Sequence, residues 1–189
     1  VNKYNIFPES LAGYSLDPDK AAIRVGTAFK ITAASTYKAL GIRTYIGSTA
    51  GVDLSGCWAM LYGYVPQALL ATKAFPATLV LGWNELLFDT PVSLPGGASK
   101  LYGAVVYYPN GGFSYKHFQM SSAVQSSELT TLFAEASAQT STTTSNGVTG
   151  NGFYTTGSIA DPTNPANNPS FWDSFNAAHY GPDIIATDP

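Results

Sequence analysis

Charge is scarce in this chain. Asp, Glu, Lys and Arg make up 11% of its 189 residues, under half of the ~25% usual for soluble domains. Disorder needs low hydrophobicity together with high charge, and a hydrophobic fraction of 45% excludes it. The surface must be covered largely by Ser, Thr, Asn and Gly, which suits a protein working outside cells or packed against neighbours. Cations stop altogether after Lys116. Residues 1–116 hold all nine Lys and Arg against six acids, and the remainder carries six acids. That leaves no clustered basic face for nucleic acid. The lone cysteine, Cys57, excludes an internal disulfide and a zinc cluster; between Gly56 and Trp58 it reads as a buried, inert thiol. No run of about eighteen apolar residues offers a membrane span. The first twenty residues also lack the charged and apolar regions of a signal peptide. Two routes to the outside are left: a signal already removed, or release by lysis, as for a virion protein. Val1, read as a GTG start, agrees with the second.

What the chain does have is short β-branched and aromatic runs punctuated by Pro, Gly and Asn, the pattern of an all-β sandwich or barrel. Ile23 to Ile31 and Leu40 to Ile46 alternate with period two, as strands with one wet face do; Arg24, Lys30 and Arg43 fall on the outward side. Cys57 to Tyr62 and Gln67 to Phe75 read as a hairpin. Trp83 to Asp89 is a strand ended by Pro91, and Trp83 and Trp58 read as core. Leu101 to Tyr108 is apolar on both faces and belongs in the middle of a sheet. Pro182 to Thr187 closes it. Ser126 to Ala138, with Leu129, Leu132 and Phe133 on one face, is the single candidate helix. Residues 140–152 and 161–170 are Ser/Thr/Asn/Gly/Pro-rich loops. The expected fold is an antiparallel β-sandwich, jelly-roll-like, with one short helix. Residues 1–21 form an irregular arm, and 22–189 form the sandwich domain.

The blocks Gly82 to Tyr115 (GW…F.TPV.L..G…Y…VYYPNGGF.Y), Val25 to Ile31, Ala39 to Ser48, Ser55 to Gly63, Asn146 to Gly157 and Pro169 to Asp173 occur in a recognisable order. Over roughly residues 22–187 the chain resembles an uncharacterised extracellular domain family. That family is appended to bacterial secreted enzymes acting on glycans and recurs in minor tail proteins of phages infecting actinobacteria. It departs at Cys57-Trp58, where a Leu-Trp pair is usual, and at Ser174 to Pro182, which reads as an insertion. The resemblance implies a β-sandwich in an extracellular or virion setting and transfers no catalytic residue.

Catalytic constellations are thin. His117 and His179 have no Gly-x-Ser-x-Gly elbow to serve. Glu85, Asp89 and Asp173 are available as a glycosidase pair, but Glu85 shares a strand face with Trp83 and Asp89 reads as a turn residue. Asp17 with Asp19, or Asp161 with Asn164 and Asn167, could contribute to a calcium loop, yet turn roles suit them better and no metal ligand is assigned. Neither a cofactor nor an enzymatic activity is expected.

Aromatics carry the strongest functional signal. A glycan site pairs a flat ring, which stacks on the sugar's C–H face, with Asn, Asp or Gln bonding its hydroxyls. Tyr108, Asn110, Phe113 and Tyr115 supply such a set around the Asn110-Gly111-Gly112 turn, and Asn151, Phe153 and Tyr154 supply a second. The same rings could fill a protein interface or the sandwich core. Tyr4, Ile6, Phe7, Leu11 and Tyr14 give the N-terminal arm apolar residues that need a surface, as in an assembled subunit. The expectation is a non-enzymatic bacteriophage virion accessory protein, a minor tail or head-decoration protein. It would be a homo-oligomer or attached to a symmetric assembly, working through protein–protein contacts and contacts to host cell-surface glycans. No nucleic-acid or membrane partner is expected. The alternative is a carbohydrate-binding module of a secreted bacterial glycan-active enzyme.

Overall fold

The computed structural model describes residues 2–64, 67–97, 100–116, 124–129, 131–134, 152–164, 174–176 and 179–189. Its strands are β1 (Ser15–Leu16), β2 (Ile23–Ile31), β3 (Thr36–Ile46), β4 (Trp58–Tyr64), β5 (Gln67–Ala74), β6 (Gly82–Pro95) and β7 (Tyr102–Tyr108), then β8 (Ser114–Tyr115), β9 (Val124–Gln125), β10 (Leu132–Ala134), β11 (Gly152–Thr156), β12 (Ser174–Asn176) and β13 (Pro182–Thr187). The larger sheet runs β12-β11-β2-β7-β4-β5, with β10 also on β2 and β9 on β10. The smaller runs β13-β3-β6, and β1 and β8 form a separate ribbon. Every pairing is antiparallel. The chain passes from β2 in the large sheet to β3 in the small one, back to β4 and β5, and across again to β6. The fold is an antiparallel β-sandwich.

Strand chemistry explains most of this placement. β7 is buried along its whole length between β2 and β4, as its two apolar faces require. The expected hairpin is present as β4 and β5. Val25, Phe29, Ala59, Leu61, Val106 and Ile42 belong to the main core between the sheets. A second cluster of Ala28, Met60, Tyr62, Leu101, Val105 and Tyr107, with Ile159 over it, covers the far face of the large sheet. Cys57 is buried, and burial pushes its thiol up to about 12.

Several expectations are corrected. No helix spans 126–138 in the described part. Leu132 pairs with Ile31 and Phe133 with Lys30, so the Leu129–Leu132–Phe133 spacing follows a turn into a strand. The Ser126 hydroxyl accepts from Leu129 N–H at 3.2 Å and Leu132 N–H donates to Leu129 C=O at 2.9 Å, closing that turn. β2 has no wet face, because the second cluster covers it and Arg24 and Lys30 are buried. Pro91 does not end its strand. β6 runs through it as an edge strand of the small sheet; Pro91 falls in the irregular stretch between the Gly41–Leu87 and Ala39–Val92 pairs, where a missing N–H is tolerated. The inward positions of β6 are Leu86 and Phe88, so Trp83 and Leu87 face outward; Leu87 is 45% exposed and Trp83 is half-buried.

Arg43 is the sharpest reversal. Expected in water, it is fully buried, because the N-terminal segment lies over it. Arg43 Nη2 is 3.0 Å from Asp183 Oδ2, Nη1 is 2.5 Å from Glu9 Oε1, and Nη2 also donates to Phe7 C=O. Asp183 accepts Ile6 and Phe7 N–H at 3.1 Å each. Ile6 and Phe7 are both 2% exposed, and Tyr4 bridges to Ala186. The stretch expected as an assembly arm is bound to its own domain, and Phe7 is not available to a neighbour.

Candidate functional site

The expected aromatic loop does not project. The Tyr108 ring is fully buried, and its hydroxyl shares a 2.9 Å hydrogen bond with Thr44; burial pushes that hydroxyl's pKa up. Phe113 is 5% exposed. The cause is the turn between them. Gly111 and Gly112 have φ of +68° and +77°, and a Cβ at Gly111 would lie 2.0 Å from Asp19 C=O. The two glycines let the loop fold down onto residues 19–20, where Gly112 N–H donates to Asp19 C=O at 3.0 Å. A loop that closes on its neighbour turns its rings inward.

That closure builds a cleft. β1 pairs with β8, Ser15 opposite Tyr115 and Leu16 opposite Ser114, and Asp17 N–H donates to Phe113 C=O at 2.9 Å. Beyond β1 the chain turns on two aspartates: Asp17 Oδ1 accepts Asp19 N–H at 2.9 Å and Asp19 Oδ1 accepts Ala21 N–H at 3.0 Å. β11 runs alongside, with Tyr154 opposite Val25 and Thr156 opposite Ile23. The resulting space is about 380 Å³, lined by Asp17, Asp19, Ile23, Phe113, Tyr115, Tyr154, Thr156 and Tyr180, at the lower end of small-ligand sites. Tyr180 meets Tyr154 edge-on, centroids 5.9 Å apart and planes at 79°, and meets Phe113 likewise at 5.7 Å and 71°. Buried Phe113 and Tyr180 hold half-buried Tyr115 and Tyr154 at the rim.

Of the expected contact residues, Phe113, Tyr115 and Tyr154 come together here. Tyr108 is excluded by burial. Asn110 lines a neighbouring hollow with Lys20, Gly51, Val52 and Asp53, donating to Asp53 Oδ2 at 3.0 Å. Asn151 lies outside the described residues, and of Phe153 only the strand backbone is described. Tyr180 and the Asp17–Asp19 turn were not expected at the site. Tyr180 arrives through the pairing of distant β13, which no local pattern announces; Asp17-Pro18-Asp19 was visible as a turn but not as a wall.

The other candidates are elsewhere. Glu85 pairs with Lys3 at 3.2 Å and Asp89 with Lys73 at 2.6 Å; Asp173, His117 and Asn167 lie outside the described residues. Asp161 accepts from Thr163, which lowers its pKa. Among the described residues, no group of three or more His, Cys, Asp or Glu could hold a metal ion. His179 is fully buried and stacked on Phe7 with ring centroids 3.7 Å apart. Its Nε2 lies 3.0 Å from Pro182 C=O; a carbonyl only accepts, so Nε2 carries the proton and Nδ1 accepts from the Tyr14 hydroxyl. Desolvation, reinforced by Arg43, pulls His179 down to about 3. A histidine held neutral between such partners is a structural pin.

The family model described as Domain of unknown function (DUF4082) matches residues 10–173. No curated protein and no solved structure matches the chain. The family match stops short of β13, which supplies Asp183 to the buried pair, and of Tyr180, which supplies a wall of the cleft.

Proposed function

We propose that this chain, which belongs to the DUF4082 family, is a non-catalytic extracellular binding module that takes a saccharide in the cleft between Asp17, Tyr115, Tyr154 and Tyr180. One observation carries the reading: tyrosines from three separate parts of the chain converge with two carboxylates on one open space. Flat rings present an apolar face with a polar edge, the surface a pyranose ring stacks on, and carboxylate oxygens accept from sugar hydroxyls. The preferred setting is a phage virion, as a minor tail or decoration protein contacting host cell-surface glycan; the alternative is a module of a secreted glycan-active protein. The resemblance of the strand blocks to domains in both settings supports this, as does the low charge. The test is a calorimetric titration of the whole chain against host cell-wall polysaccharide, with Tyr154→Ala beside it. Saturable binding that Tyr154→Ala weakens supports the site; equal binding by both proteins moves it elsewhere, and no binding by either removes the glycan reading.

A protein contact is the second reading. Val80, Leu81 and Leu87, at and before the edge strand β6, are 61%, 62% and 45% exposed. Open sheet edges with apolar side chains pair readily with other chains. Co-purification of attached virion proteins, lost on Leu81→Asp/Leu87→Asp, would support it.

A further inference from the structure

We infer that the cleft selects a sugar bearing a free, protonated amine over its N-acetylated or neutral counterparts. The inference rests on the saccharide reading of this same cleft and adds the charge of the ligand to it. Among the described residues lining the space, two are acids and none is a base. Lys20 lines the neighbouring hollow, and the end of the Lys116 side chain, ammonium included, lies beside Gly13. Asp17 and Asp19 each commit Oδ1 to a backbone N–H of their turn, so the turn fixes both carboxylates in place.

The rings favour the same ligand. An aromatic face is electron-rich and attracts a cation within about 6 Å of its centroid. Tyr180 stands nearly perpendicular to both Tyr154 and Phe113, so the walls of the cleft face different directions around one space. A neutral sugar uses only the stacking part of such a site. An ammonium sugar also gains the ring quadrupoles and the attraction of two carboxylates, of which Asp17 is half-buried and Asp19 stands in solvent. An N-acetyl group removes that charge and adds bulk in a space of about 380 Å³.

The experiment compares a glucosamine tetramer, an N-acetylglucosamine tetramer and cellotetraose by calorimetry, at low and high salt and at a pH where the amine is protonated. The expected result is a preference for the glucosamine tetramer on the order of tenfold at low salt, shrinking as salt screens the carboxylates. In Asp17→Asn/Asp19→Asn the affinity ratio should fall towards one. Asn retains the Oδ1 acceptor that each turn uses, and a thermal melt checks that the variant is folded. Equal affinity for all three sugars, or a preference that the double substitution leaves undiminished, overturns the inference while leaving the saccharide reading standing. Binding of none of them, together with no binding of host polysaccharide, overturns both.

Discussion

Arg43 and Asp183 face each other in register on β3 and β13 and meet at 3.0 Å with neither side chain exposed. The pair is the anchor for the N-terminal segment, because Asp183 also accepts Ile6 and Phe7 N–H and Arg43 also donates to Phe7 C=O. Replacing buried ion pairs with apolar residues is often harmless, whereas removing one partner strands the other charge. Asp183→Ala should therefore cost about 3–5 kcal/mol in denaturant unfolding and make residues 4–14 accessible to protease. A cleavage pattern matching the parent's would detach this pair from the segment's docking.

Trp83 is a clasp on the outer face of β6. Its ring lies 3.9 Å under the Arg43 guanidinium, and Nε1 donates to Glu9 C=O at 3.1 Å. Since the ring is half-buried, Trp83→Ala should cost about 1–3 kcal/mol, below the 3–5 of a core tryptophan. The loss should be non-additive with Arg43→Met, because the two side chains touch. Additive losses would mean that the stacking contributes nothing.

The neutral His179 makes stability depend on pH in a defined direction. Its folded value of about 3 lies below the ordinary 6.5, so between those limits the unfolded chain binds the extra proton. Stability is complete above about pH 6.5 and falls as the pH drops towards 3, with a limiting slope of about 1.4 kcal/mol per unit. Burial pushes the Asp183 carboxyl up, and a raised acid contributes with the opposite sign. The measurement is therefore the difference in slope between the parent and His179→Gln, in which Asp183 cancels. Equal slopes would show that His179 titrates freely in the folded chain.

Tyr108 and Tyr154 should separate cleanly. Tyr108→Phe leaves Thr44 Oγ1 without its partner in the core and should cost about 1–2 kcal/mol of stability. Tyr154→Ala opens the rim and should weaken saccharide binding by about 1–3 kcal/mol with a small change in melting temperature. A reversed pattern would exchange their roles.

The sandwich was legible where a segment's own sequence decides its surroundings. β7 is apolar on both faces and could only be central; Pro182 to Thr187 was read as a strand and is one, though it lies on β3 in the small sheet and not in the sheet of β7. What escaped was set by distant chain. Arg43 sits on the outward register of β3 and reads as solvated until residues 6–9 are laid over it. Leu129, Leu132 and Phe133 have helical spacing, and only pairing with Ile31 and Lys30 draws 132–134 into a sheet. Half of the cleft could be read, since Tyr115, Phe113 and Tyr154 lie in aromatic-rich blocks. Tyr180 could not, and Tyr108, beside the same turn, was misread because the sequence does not reveal which way a glycine hinge folds.

The two ends of the described chain run antiparallel through the Tyr4–Ala186 bridge, with N–H···O bonds of 2.8 and 2.9 Å, and Tyr4 Oη donates to Asp188 at 2.8 Å. The two ends therefore lie side by side. Tension applied between them loads that bridge from its open end, so its bonds yield in sequence rather than together, like a zipper. Under such a load the N-terminal segment would peel away first, down to the Arg43–Asp183 pair that joins β3 to β13 beneath it.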